Sequence, residues 1–148
     1  MKRVAIVLGV ALPLAAVDLI WKSMATTPDW AYHPRSLGWL TLSIALFVAT
    51  LGVARVPSAV APAAAGVMAG GVLGNILSAI QNGLRVPDPI ITYTSHTVIA
   101  FNPADVFTTI GTLALTAALG MTLIRNRHLL PTPQQAVERW SRGLSRRP

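Results

Sequence analysis

Two aspartates carry the chemistry this sequence is best equipped for. Asp88 lies in Val86-Pro87-Asp88-Pro89, in a loop leaving one apolar run; Asp105 lies in Phe101-Asn102-Pro103-Ala104-Asp105, at the mouth of the next. The chain owns only five acidic residues, so two at one boundary stand out. Two carboxylates brought close cannot both ionise easily, so they share a proton and titrate as a pair. The ionised member can take a proton from water while the protonated member polarises a carbonyl, which is the chemistry of peptide hydrolysis. Ser95-His96 has no evident orienting acid, so a serine nucleophile is disfavoured. The chain has no cysteine, and His33, His96 and His128 are scattered, so no metal or cofactor is implied.

The rest of the chain reads as a membrane scaffold. Of 148 residues, 53% are hydrophobic and 11% charged, against about 25% charged in soluble domains. The composition predicts an all-α membrane protein, a four-helix bundle with spans at 4–21, 37–53, 58–80 and 103–124. A basic tail follows at 125–148, where Thr132-Pro133 can start a short amphipathic helix, with a disordered tail as the equal alternative. At about 1.5 Å per residue, the first span reaches roughly 27 Å, enough for a hydrocarbon core. The net charge of +7 is concentrated at the two ends. That distribution fits positive-inside topology rather than a nucleic-acid groove. Lys2, Arg3, Arg55 and the tail then face the cytoplasm, with both termini. Lys22, Arg35 and Arg85 face outward, and Asp18, Asp88 and Asp105 fall on that same side. The outer loops are small, with a short extended segment expected over the β-branched stretch Ile90–Ile99.

Each candidate has a simpler structural role. An acid in a first helical turn complements the helix dipole, which suits Asp105 behind an Asn102 N-cap and Pro103. An aspartate beside proline is a common turn residue, which suits Asp88. Asp18 and Lys22 have the spacing of a helical ion pair. Asn75 and Ser78 sit deep enough to bond across helices, and Gly66, Gly70 and Gly74 allow close helix approach, with Gly71 beside them.

The ordered motifs resemble lipoprotein signal peptidase, the type II signal peptidase of bacteria. Phe101-Asn102-Pro103-Ala104-Asp105 matches the family's Phe-Asn-x-Ala-Asp. Val86-Pro87-Asp88-Pro89-Ile90 is similar to Val-Val-Asp-Phe-Ile, Gly70–Asn75 to its glycine-rich third helix, and Asp18 with Lys22 to Asp-Gln-x-x-Lys. The resemblance implies an aspartic endopeptidase of the bacterial plasma membrane, removing signal peptides from diacylglyceryl-modified prolipoproteins. Asp88 and Asp105 would be catalytic. Asn75 and Asn102 would position substrate or dyad, and Asp18 with Lys22 would support the fold. No cofactor follows, the partners are lipids and the prolipoprotein, and the chain would act as a monomer. Ser78 and Ala79 stand where the family has Asp-Arg, a pair whose arginine helps hold substrate. The family's Asn-x-Gly-x-Ala-Phe element is also missing. A catalytically inactive or repurposed relative that binds lipoproteins is therefore the alternative, and a small transporter or channel subunit is a third.

Overall fold

The computed structural model describes residues 2–129. Four helices dominate: α1 (Lys2–Met24), α2 (Leu37–Gly52), α3 (Ala61–Gln81) and α4 (Pro103–Arg125). All four regions are long and apolar enough to cross a membrane, α2 together with a 3-10 turn at Val53–Arg55. Their outward faces carry large apolar side chains such as Leu12, Ile20, Leu42, Leu113 and Leu123, more than 50% exposed. Such surface is suited to hydrocarbon rather than water. The first helix is longer at both ends than the hydropathy pattern predicts and runs through Pro13.

The third span begins at Ala61 rather than Ser58. The Ser58 hydroxyl oxygen accepts hydrogen bonds from the Val60 and Ala61 amides (3.3 and 3.2 Å), and Pro62 occupies the first turn. A serine hydroxyl and a proline ring start the helix three residues late, because the hydroxyl satisfies amides that have no intrahelical partner. The basic tail from Thr132, read as either a short helix or a disordered segment, lies outside the described residues.

The helix α3 is the hub of the bundle, packed against all three others and buried along most of its length. Small residues make this possible. A Cβ on Gly66 or Gly70 would meet Val10 or Leu14 of α1 at 2.8 Å, and one on Gly71 would strike Ala104 and Thr108 of α4. Gly111 of α4 returns the contact, lying against the Met68 backbone. The glycine row thus serves two neighbours, as close helix packing in lipid requires. On α1 the buried stripe is Val7, Ala11, Ala15, Asp18 and Lys22: small apolar residues, then an ion pair.

At the end of the bundle holding Lys22, two small antiparallel sheets cap the helices. Strand β1 (Tyr32–Pro34) pairs with β2 (Arg85–Pro87), His33 opposite Val86. Strands β3 (Ile90–Tyr93) and β4 (Val98–Phe101) form a hairpin, where a single extended segment was expected. The hairpin closes through Thr94, whose hydroxyl accepts the Thr97 amide at 3.0 Å. Between α3 and β2 the backbone is left-handed at both Gly83 (φ +62°) and Leu84 (φ +63°). The Leu84 amide donates to the Ala79 carbonyl at 2.7 Å and Arg35 donates to Leu84 at 2.7 Å. This turn aims β2 back across the end of the bundle.

Candidate active site

Asp88 sits in the two-residue link between β2 and β3, and its amide donates to the Ala31 carbonyl at 3.0 Å. That bond, with proline on each side, fixes the backbone. The side chain is buried, 2% exposed. Its Oδ1 accepts from the Asn102 side-chain amide, and its Oδ2 hydrogen-bonds Nδ1 of His33.

Asp105 sits in the first turn of α4. Asn102 caps that helix: its Oδ1 accepts the Asp105 amide at 3.1 Å, and Asp105 Oδ2 accepts the Asn102 amide at 3.2 Å. This reciprocal box is the dipole-complementing role the sequence predicts. It leaves Asp105 Oδ1 free for a second helix, and Asn75 of α3 donates to it at 2.9 Å.

Asn102 thus joins the acids. It caps α4 through its oxygen, holds Asp88 through its amide nitrogen, and offers its backbone N–H to Asp105. It is fully buried. Behind Asp105 the bonding continues: Asn75 Oδ1 accepts from Lys22 Nζ at 2.9 Å, and Lys22 bonds Asp18 Oδ2 at 2.7 Å. Asp18 Oδ1 accepts the Ala104 amide at 2.9 Å, so α1 helps orient the start of α4. Gly74 makes room, since a Cβ there would fall 2.7 Å from Asp18 Oδ2. One unbroken chain of bonds runs from Asp18 through Lys22, Asn75, Asp105, Asn102 and Asp88 to His33.

Burial pushes the Asp88 carboxyl above its ordinary value. The nearby Asp105 charge pushes the same way, while the bonds from His33 and Asn102 oppose it. A raised carboxyl favours the protonated form, which suits Asp88 to the role of an acid. Asp105 is half-buried and opens on a shallow apolar groove of about 290 Å³ that includes Phe101, Val106 and Ile110. The groove lies along the outward side of α4, so the acid is reachable from the lipid-facing surface.

The six residues given site roles from the sequence all fall in this chain of bonds. His33 was passed over because only the pairing of β1 with β2, across a separation of 55 residues, brings it to Asp88. Nothing local signals that pairing. Ser78 departs from expectation: it is buried, but its hydroxyl makes no interhelical hydrogen bond among the described residues, and its carbonyl instead accepts from Asn82 at 2.8 Å. Ser95 and His96 lie exposed on the hairpin turn. Among the described residues no group of three His, Asp or Glu side chains is arranged to hold a metal ion.

Residues 20–121 match the profile of the family described as Signal peptidase (SPase) II. The chain belongs to the signal peptidase II family. This is a family of aspartic proteases that process lipoprotein signal peptides in membranes. No curated protein and no solved structure matches the chain. Ser78 and Ala79, where the motif resemblance expects Asp-Arg, are 1% and 0% exposed. These positions therefore present no charge to the site.

Proposed function

We propose that the protein is a membrane aspartic endopeptidase that cleaves the signal peptide from lipid-modified prolipoproteins, with Asp88 and Asp105 as its catalytic pair. Asn102 and Asn75 position the pair, and Asp18 with Lys22 holds the helices that carry it. The observation that carries this reading is the sharing of Asn102 by a buried acid and an acid open to a lipid-facing groove. A first-turn aspartate needs only its cap; Asp105 has in addition Asn75 from another helix and a second carboxylate behind the same asparagine.

In this mechanism the shared proton rests on Asp88. Asp105, ionised and with both oxygens accepting hydrogen bonds, removes a proton from water as the water oxygen bonds to the scissile carbonyl carbon. Asp88 gives its proton to the carbonyl oxygen, yielding a neutral tetrahedral intermediate. Collapse re-forms the carbonyl and breaks the C–N bond. The amine leaves with the proton held by Asp105, and the hydroxyl proton returns to Asp88. The peptide approaches along the groove beside Val106 and Ile110, with its lipid anchor in the bilayer. Asp88 and Asp105 face outward, and the basic ends with both termini lie in the cytoplasm.

The test is cleavage of a lipidated precursor by the purified, reconstituted protein, unmodified and as Asp105→Asn. Processing by the unmodified protein and its loss in the variant support the proposal. Undiminished processing in the variant removes the mechanism. No processing by the unmodified protein favours the binding-only alternative, which the uncharged Ser78 and Ala79 would then explain.

A further inference from the structure

We propose that the end of the bundle opposite the acids holds a binding site for one anionic phospholipid. A groove of about 900 Å³ opens there between the start of α1 and the end of α2. Its charged lining is Lys2, Arg3 and Arg55, and its apolar lining includes Val4, Val48 and Leu51. Among the described residues no aspartate or glutamate lines it. The four acids among the described residues are Asp18, Asp29, Asp88 and Asp105, all in or beyond the last turns of α1, toward the other end.

Three features point to a ligand rather than to solvated surface charge. Lys2 and Arg3 occupy the first turn of α1, where the helix dipole disfavours cations, and that turn holds no acid. Their placement is therefore unfavourable for the helix itself. Arg3 is held in place: Nη1 donates to the Val56 carbonyl at 2.5 Å, tying α1 to the segment after α2. One of the five guanidinium N–H donors is so engaged, which leaves donors for a phosphate. The lining also combines cations with aliphatic side chains. A phosphodiester would meet Arg3, Arg55 and Lys2 while an acyl chain lies against Val4, Val48 and Leu51, as basic pockets between membrane helices bind acidic lipids. A free phosphate would leave the apolar wall unused.

The experiment uses the full chain, purified and exchanged into mixed detergent micelles. Native mass spectrometry counts retained phosphatidylglycerol against phosphatidylcholine. The expected result is one phosphatidylglycerol per chain, retained in preference to phosphatidylcholine. Retention should fall about fivefold for Arg55→Gln and about 25-fold for Arg3→Gln with Arg55→Gln. Arg127→Gln, an exposed cation at the same end outside the groove, should change nothing. Equal retention of the two lipids, or an equal loss in Arg127→Gln, would overturn the site in favour of diffuse surface attraction. Displacement by glycerophosphoglycerol at the lipid's own concentration would also overturn it, because the acyl contacts would then contribute nothing. Should the double variant fail to fold, a photoactivatable phosphatidylglycerol on the unmodified protein decides. Crosslinks at Val48 or Leu51 support the site, and crosslinks spread evenly over the helices refute it. None of these readouts depends on peptidase activity.

Discussion

The two ends of this bundle treat charge in opposite ways. At one end Asp18, Lys22, Asn75, Asn102 and Asp88 are buried and joined bond to bond. At the other, Lys2, Arg3 and Arg55 are exposed, with no carboxylate beside them among the described residues. The same four helices supply both. Burial of a charge is tolerable only where partners converge, and the sheets, the cap of α4 and the glycines of α3 create that convergence at one end. Where helices simply end near lipid headgroups, cations remain free to meet an external anion. The comparison implies that losing one member of the buried chain propagates, whereas losing one exposed cation does not.

The largest effect should come from the acids themselves. Asp88→Asn and Asp105→Asn keep shape but lose proton transfer, and each should lower precursor cleavage by about 10²–10⁴-fold. Thermal unfolding in detergent should show both variants folded. A variant retaining near-full activity would separate the polar chain from function.

Next comes the ion pair. Lys22→Met leaves the buried Asp18 without its cation, at a cost of about 3–5 kcal/mol. Lys22→Met with Asp18→Asn should recover part of that loss, and equal destabilisation of single and double variants would mean the pair is not coupled. Arg55→Gln, at the exposed end, should shift stability by less than about 0.5 kcal/mol.

Gly74→Ala is a smaller probe of the same end. The added methyl must displace the Asp18 carboxylate, and overpacking of this kind costs about 1–3 kcal/mol. Gly52→Ala, with open space around it, should be neutral or mildly stabilising in the same unfolding assay.

The smallest effect concerns pH. Burial raises the Asp88 carboxyl above its ordinary 3.8, so the folded protein holds this proton to higher pH than the unfolded chain does. Its contribution to stability is full below the ordinary value and is lost as pH rises through the folded value. Asp88→Asn should therefore flatten the fall in melting temperature over that window. His33 opposes the rise, so His33→Asn should move the alkaline limb of the activity profile to higher pH. An unmoved limb would assign His33 to the β1–β2 fold alone.

The spans were legible because hydropathy acts over tens of consecutive residues. The Asn102 cap and the Asp18–Lys22 pair were legible because both rest on spacings of three or four residues. The start of α3 was missed by three residues because Ser58 reads as apolar-compatible until its hydroxyl is seen on two amides. The hairpin of β3 and β4 was only half visible, since β-branched composition signals extension but not the turn at Thr94.

By itself, the order of residues determined four apolar helices, basic residues gathered toward both ends of the chain and an acid at the start of the last helix. Those properties follow from hydrophobicity and near-neighbour bonding, which act along the chain. The tertiary structure alone decided that Asn102 serves two carboxylates, that Lys22 reaches Asn75, and that His33 meets Asp88. These contacts join positions 14, 53 and 55 residues apart, and only packing around α3 and the pairing of the two loops brings such positions within reach of a hydrogen bond.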